Sequence, residues 1–250
     1  MCIPDELVQT LRRASRVAAL TGAGTSAESD VPTFRDSQSG LWARYRPEDL
    51  ATTQAFQRNP RLVWEWYAWR RELIDKAFPN PGHYALAEME RKLPNMVLIT
   101  QNVDSMHQQA GSQEVIELHG NIRRTKCFQE GIIIPTWEET DAIPPRCPQC
   151  GGPLRPDVVW FGEGLPQEAL RKAWLAAREC QVFFSIGTST LVQPAASLPL
   201  VAQEAGAMIV EINPSPTPLT HTASYTLQGP SGKMLPALVE AVWGERSAND

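Results

Sequence analysis

Val17-Ala-Ala-Leu-Thr-Gly22-Ala-Gly24-Thr-Ser-Ala27 is an apolar run of strand length ending in a glycine turn that fits G-x-G-x-x-G/A. Glycines at Gly22 and Gly24 permit a tight turn and let backbone amides approach a pyrophosphate, whose charge those amides stabilise. Alone the pattern is weak, because ordinary glycine turns match it often. The sequel is more informative. A hydride-transferring dinucleotide fold would run straight into a helix and reach a second strand and an acidic ribose ligand within about 30 residues. Here Pro32 interrupts, and Val31-Pro32-Thr33-Phe34-Arg35 reads as a loop that places Arg35 to reach phosphates.

Outward from that turn, strand-like runs recur at Val17–Leu20, Met96–Ile99, Val115–Leu118, Val182–Ile186, Met208–Ile212 and Tyr225–Leu227. Helix-patterned stretches separate several of them: Leu170, Ala173, Trp174 and Ala177 share one face, as do Leu235, Leu238, Val239 and Val242. Apolar strands without strict alternation, joined through helices, predict an α/β fold with a parallel sheet covered on both faces. Two stretches break the rhythm. Residues 37–92 lack a strand and carry a helix over 61–77 whose Leu62, Trp66, Trp69, Leu73 and Ala77 form one stripe. Residues 121–157 are proline-rich and hold three cysteines. Both are expected to be insertions building a smaller domain, which leaves 1–36, 93–120 and 158–250 for the nucleotide-binding domain. The tail after Gly244 is polar and reads as frayed.

Bulk properties narrow the partners. A chain of 250 residues with 42% apolar content can bury a large core. Its net charge of -5 and the lack of any long Lys/Arg block argue against nucleic acid. Residues 182–202 are the most apolar stretch, but Ser185, Gly187, Thr188, Gln193, Pro194 and Pro199 interrupt it, so no membrane span or membrane partner is expected. Val17–Leu20 is too short for a signal-peptide core. Three clustered cysteines out of five read as metal chemistry rather than a disulfide framework, and the working expectation is the cytoplasm.

Polar residues gather where strands should end. Gln101-Asn102-Val103-Asp104 follows the second run, and His119-Gly120-Asn121 follows the third. A parallel sheet brings such loops to the edge that carries the glycine turn. Imidazole suits proton removal near neutral pH, and ribose hydroxyls need partners such as Asn102 and Asp104. A lone histidine is usually structural; the company of His119 changes that. Gly187-Thr188-Ser189 and Asn213-Pro214-Ser215 end the fourth and fifth runs and can hydrogen-bond an adenosine half, although either alone reads equally as a plain turn.

Cys127-x-x-Glu130, then sixteen residues, then Cys147-x-x-Cys150 matches a zinc spacing except at its second position. Glu130 can supply a carboxylate and complete a Cys3Glu structural zinc site. The rival is a degenerate knuckle without metal, held by packing alone.

On these residues the chain resembles the sirtuins, the NAD-dependent protein-lysine deacylases, from Gly22 to about Val242. The matching blocks are GAGTSAES at 22–29, PTFR at 32–35, TQNVD at 100–104, LHGN at 118–121, VVWFGE at 158–163, GTS at 187–189 and INPS at 212–215. The resemblance implies a Rossmann-like NAD-binding domain beside a small helical and zinc-binding domain, with NAD and acyl-lysine meeting between them. It implies NAD contacts from Gly22, Ala23, Gly24, Thr25, Ser26, Thr33, Phe34, Arg35, Gln101, Asn102, Val103, Asp104, Gly187, Thr188, Ser189, Asn213, Pro214, Ser215 and Ser231. His119 is the implied general base. Val159, Phe161, Gly162 and Glu163 are expected to line the peptide cleft, where the substrate pairs as an added strand. The implied chemistry is not redox: the acyl oxygen displaces nicotinamide from the ribose, His119 takes a ribose-hydroxyl proton, and free lysine and O-acyl-ADP-ribose result.

Tyr67-x-x-Arg70, with Ala51, resembles the acyl pocket of class III sirtuins, which remove succinyl and malonyl groups; Thr33 points the same way. Arg70 can bind a carboxylate bidentately, Tyr67 can donate a further hydrogen bond, and Ala51 leaves room. Asp30 stands where the family usually has glycine, and aspartate tolerates a left-handed turn better than most residues. The expected partners are acylated lysines of proteins or peptides; the oligomeric state stays open, a monomer included. Protein ADP-ribosyl transfer, silent NAD binding and, least favoured, a nicotinamide dehydrogenase are the alternatives.

Overall fold

The computed structural model describes residues 3–31, 45–138 and 140–244. Thr33, Phe34, Arg35 and the tail after Gly244 lie outside the described residues.

All six apolar runs are strands of one parallel sheet. β1 (Val17–Thr21) pairs with β2 (Met96–Thr100) on one side and β6 (Val182–Ile186) on the other; β3 (Val115–Glu117) lies beyond β2, and β7 (Met208–Asn213) and β8 (Tyr225–Gln228) lie beyond β6. The order β3-β2-β1-β6-β7-β8 reverses direction between β1 and β6. In open parallel sheets that reversal opens a crevice at the carboxyl ends of the two strands, which is where ligands sit. Every residue of β1 and of β6 is buried, which accounts for their unbroken apolar character.

Helices cover both faces. α1 (Asp5–Arg13), α5 (Pro81–Lys92) and α9 (Ser231–Trp243) pack on one, through Leu7, Leu11, Leu86, Leu235, Leu238 and Val242. α7 (Gln167–Glu179) and α8 (Leu198–Glu204) pack on the other, through Ala173, Ala177, Leu198 and Ala202. The stripe read over α9 is buried as expected. That over α7 is narrower, since Trp174 sits on its flank, 38% exposed, while small alanines allow the helix to approach the sheet.

Two antiparallel strands, β4 (Gly120–Cys127) and β5 (Leu154–Val158), bracket the cysteine segment. Beside them lie α3 (Thr53–Arg58) and α4 (Pro60–Lys76). Asn59 caps α4 by accepting the Leu62 amide at 3.1 Å, and Pro60 occupies the first turn. The buried face of α4 is Val63, Trp66, Tyr67 and Ile74, which shares only Trp66 with the predicted stripe; Leu62, Trp69 and Ala77 are partly buried beside it. Tryptophans and leucines surround this helix on several sides, so periodicity alone could not fix its rotation. Contact with Phe56, Ile122 and Trp160 does, and it turns Leu62 and Trp69 to the margin. Fully buried Phe56 and Trp66 each contribute roughly 1.5–3 kcal/mol of transfer free energy to this module.

Candidate active site

Three strand ends meet at the sheet's switch point. After β1 the chain turns through Gly22 into the short helix α2 (Ala23–Ser26), and after β6 it turns through Gly187. The two turns interlock: the Gly24 amide donates to the Gly187 carbonyl at 2.8 Å, and the Gly22 amide to that of Ile186 at 3.0 Å. A Cβ on Gly187, whose φ is +59°, would lie 2.4 Å from the Thr25 nitrogen; one on Gly24 would lie 2.8 Å from the Gly187 Cα. The glycines are therefore required by backbone contact. At the end of the following 27–29 turn, Asp30 is left-handed at φ 58°, a conformation aspartate tolerates.

The loop after β2 locks into this turn. Asn102 Nδ2 donates to the Gly22 carbonyl at 3.1 Å and to Ser26 Oγ at 3.0 Å; Ser26 Oγ donates to Asp104 Oδ2 at 2.8 Å. Gln101 Nε2 donates to Thr188 Oγ1 at 2.8 Å. The loop after β3 adds His119, whose Nδ1 lies 2.9 Å from the Gln101 carbonyl. A carbonyl only accepts, so Nδ1 carries the proton and Nε2 keeps the lone pair. Burial lowers the pKa of His119, and the bond to Gln101 opposes the shift.

These groups line one cleft of about 490 Å³. Gly22, Ala23, Gly24, Ser26, Gln101, Asn102, Val103, Asp104, Gly187, Thr188 and Ser189 form its sheet side, with His119 between them and the module that supplies Ala51, Tyr67 and Arg70. Val159, Phe161, Gly162 and Glu163 form a third wall. Among the described residues, the remaining sequence candidates stand back from it. Thr25 is buried and donates to the Ile186 carbonyl at 3.3 Å, while Asn213 braces the cradle by donating to the Thr188 carbonyl at 2.8 Å. Pro214 and Ser215 are exposed beyond β7, and Ser231 is buried beside Glu28 at the start of α9.

On the module side, burial pushes the Tyr67 phenol up to about 12, so it stays protonated. Burial also pulls Arg70 down, opposed by Tyr67 and by the charge of Asp104, while its guanidinium rests 5.1 Å from the Trp66 ring centre. An arginine keeps its charge under such shifts. Within that wall the Glu163 carboxylate is gripped by Arg155 at 2.5 and 2.9 Å, by the Trp160 amide at 2.8 Å and by Thr53 at 3.2 Å. These bonds tie down the 158–163 loop.

Sequence reading missed a buried polar layer under the cleft. The Asn80 amide donates to His83 Nδ1 at 3.2 Å, which leaves His83 Nε2–H facing Ser26 Oγ at 3.4 Å. The His107 ring lies 4.9 Å from that of His83, and His107 Nε2 lies 2.9 Å from Thr21 Oγ1. The signal available was the Asn80-Pro81 helix start, with His83 three residues into it.

Away from the cleft, Cys127, Cys147 and Cys150 bring their sulfurs within 4.8 Å of one another. Tetrahedral zinc with Zn–S bonds near 2.3 Å needs sulfurs about 3.8 Å apart, so the set fits that ion. Amides of Glu130 and Gly152 donate to Cys127 Sγ and Cys150 Sγ, each at 3.4 Å, as in a thiolate knuckle. The Glu130 carboxylate is not part of the group; its side chain is exposed. Bound zinc would tie the two ends of the 127–150 segment together.

Comparison with known proteins agrees with this layout. The Sir2 family model matches residues 22–194. A deacylase of Aquifex aeolicus, named NAD-dependent protein deacylase, is 56% identical over 83% of this chain and 87% of its own length. NAD-dependent protein deacylase 1 of Pseudomonas aeruginosa is 47% identical over 93% and 96%. A crystal structure of a Sir2 homologue with NAD superposes with a TM-score of 0.89 at 48% identity, covering 96% of this chain and 94% of that one. A mutant Sir2 homologue with 2'-O-acetyl ADP ribose gives 0.89 at 46%, over 99% and 100%. A further Sir2 structure, with a myristoylated histone peptide, gives 0.75 at 37%, over 95% and 94%. The glycine cradle, the Gln101–Asp104 loop and His119 thus fall within a match that extends along the whole sheet: the chain belongs to the Sir2 family.

Proposed function

We propose that this chain is an NAD-dependent protein-lysine deacylase that accepts acidic acyl groups, succinyl and malonyl, as well as acetyl. The observation that carries the reading is one shared cleft. It holds the glycine cradle, a histidine with its lone pair on Nε2, and the Tyr67–Arg70 pair. The amides of the cradle suit the pyrophosphate of NAD, and Asn102 and Asp104 suit the ribose next to the bond that breaks. Attack of the acyl oxygen on the ribose carbon releases nicotinamide. His119 Nε2 then takes a proton from a ribose hydroxyl, so that the 2'-oxygen attacks the acyl carbon; the lysine amine leaves protonated, and a water molecule adds to the acyl-bridged ribose, which opens to O-acyl-ADP-ribose. Arg70 and Tyr67 receive the acyl carboxylate, and Ala51 keeps the pocket wide.

Thr33, Phe34 and Arg35 are assigned by motif to cofactor contact. Asn213, Pro214, Ser215 and Ser231 are assigned to the adenosine end. The division into 1–36, 93–120 and 158–250 against 37–92 and 121–157 draws support from the sheet-face cores and the cysteine core, while the α3–α4 core also takes in Val31, Met106, Val158 and Trp160 from the larger domain. The described cysteines are all free, which suits a reducing compartment, and we assign the enzyme to the cytoplasm.

Arg70→Met tests the acyl assignment. Removing a charged hydrogen-bonding partner should lower kcat/KM for a succinyl-lysine peptide roughly 10- to 100-fold. Deacetylation should change only about threefold. Equal losses on both peptides would contradict a carboxylate site at Arg70.

A further inference from the structure

Tyr67 reaches the cleft with its oxygen already engaged. The indole Nε1–H of Trp160 donates to Tyr67 Oη at 3.0 Å, and both residues are buried lining groups of the cleft. A phenol holds one proton and accepts at the same oxygen. Once that oxygen accepts from an indole, its own proton is directed to another acceptor.

Trp160 is held firmly enough to impose this. Its amide donates to Glu163 Oε2 at 2.8 Å, and the Arg155 guanidinium lies 3.3 Å from its ring centre. Arg155 in turn grips Glu163 and donates to the Val158 carbonyl at 2.8 Å. The Phe56 ring packs against the indole with centres 5.2 Å apart. The buried indole and guanidinium and the partly buried carboxylate form one unit, and the indole N–H donates to Tyr67.

We infer that Trp160 is a specificity-determining positioning residue, which holds the Tyr67 hydroxyl as a donor toward the acyl group. This rests on reading Tyr67 and Arg70 as the acyl-carboxylate pocket. With the acceptor side of Tyr67 taken and Arg70 unable to accept, that wall of the pocket offers donors only. An ionised carboxylate accepts only, so a succinyl or malonyl terminus matches it. An acetyl methyl gains nothing from it. The discrimination therefore depends on a tryptophan that need not touch the acyl chain.

Trp160→Phe keeps an aromatic body and deletes the N–H. Desuccinylation kcat/KM should fall roughly three- to tenfold, the worth of one hydrogen bond, with deacetylation changed less than about twofold. In a Tyr67→Phe background, Trp160→Phe should cause no further loss of succinyl preference. If Arg70→Met is selective for succinyl but Trp160→Phe lowers both activities equally, Trp160 is only packing and the inference fails while the pocket stands. If neither variant is selective, the pocket reading itself fails. Should Trp160→Phe not fold, the wild-type indole 15N–1H resonance that Tyr67→Phe displaces serves instead. It should move with a succinyl-lysine peptide and not with an acetyl-lysine peptide; equal response to both would overturn the proposal.

Discussion

His119 Nδ1 and the carbonyl oxygen of Gln101 lie 2.9 Å apart, so the backbone of the β2 loop sets the tautomer of the proposed base on the β3 loop. Burial depresses the pKa of this histidine below its ordinary 6.5. A base works deprotonated, so kcat/KM should hold through neutral pH and fall on the acid side with an inflection below 6.5. A kcat/KM–pH profile checks this, and His119→Ala should lower kcat/KM by about 10²- to 10⁴-fold.

His107 should make the protein acid-sensitive. Burial and the neighbouring His83 hold it at about 3, against 6.5 unperturbed. A lowered histidine pKa means that the unfolded chain binds the extra proton. The stability it contributes is complete above pH 6.5 and is lost as pH falls from 6.5 toward 3. Between pH 7 and 5 this amounts to roughly 2 kcal/mol. Urea midpoints at the two pH values should show the loss, and His107→Gln should shrink the difference between them.

Gly187→Ala should damage both fold and cofactor site. The position combines φ +59° with a Cβ contact of 2.4 Å to backbone nitrogen, so neither strain nor clash can relax cheaply. A loss of more than about 2 kcal/mol is expected, a drop of at least roughly 4 °C in Tm for a chain of this size. The KM for NAD should rise in whatever folded protein remains.

The cysteine group should carry about one zinc per chain, as one four-coordinate structural site requires. Because the Glu130 carboxylate stands outside the three thiols, Glu130→Ala should keep most of the metal whereas Cys150→Ser loses it. Metal analysis of the purified variants decides this. Chelation of the wild type should lower Tm, since the 127–150 segment loses the tie between Cys127, Cys147 and Cys150.

What the chain states openly is what repeats or clusters. β1, β2, β6 and β7 read as apolar runs because both their faces are buried, and their ends carry polar motifs because parallel topology collects them at one edge. Three features resist such reading. The buried side of α4 depends on partners distant in sequence, Phe56 and Trp160, so a helix with apolar residues all round gave a misrotated stripe. Glu163 lines the cleft as its motif implied, but its grip by Arg155, eight positions earlier, carries no sequence signal. His83 and His107 are 24 positions apart with no shared motif, and only the packing of α5 beside the segment that follows β2 brings their rings together, tilted at 57°.

The most direct test of the whole reading is mass spectrometry of one peptide carrying succinyl-lysine or acetyl-lysine, incubated with the enzyme with and without NAD. The expected result is NAD-dependent loss of succinyl at least as fast as acetyl, with nicotinamide and O-acyl-ADP-ribose formed. Acyl groups left intact while ADP-ribose becomes attached to protein would contradict it, as would NAD bound and returned unchanged.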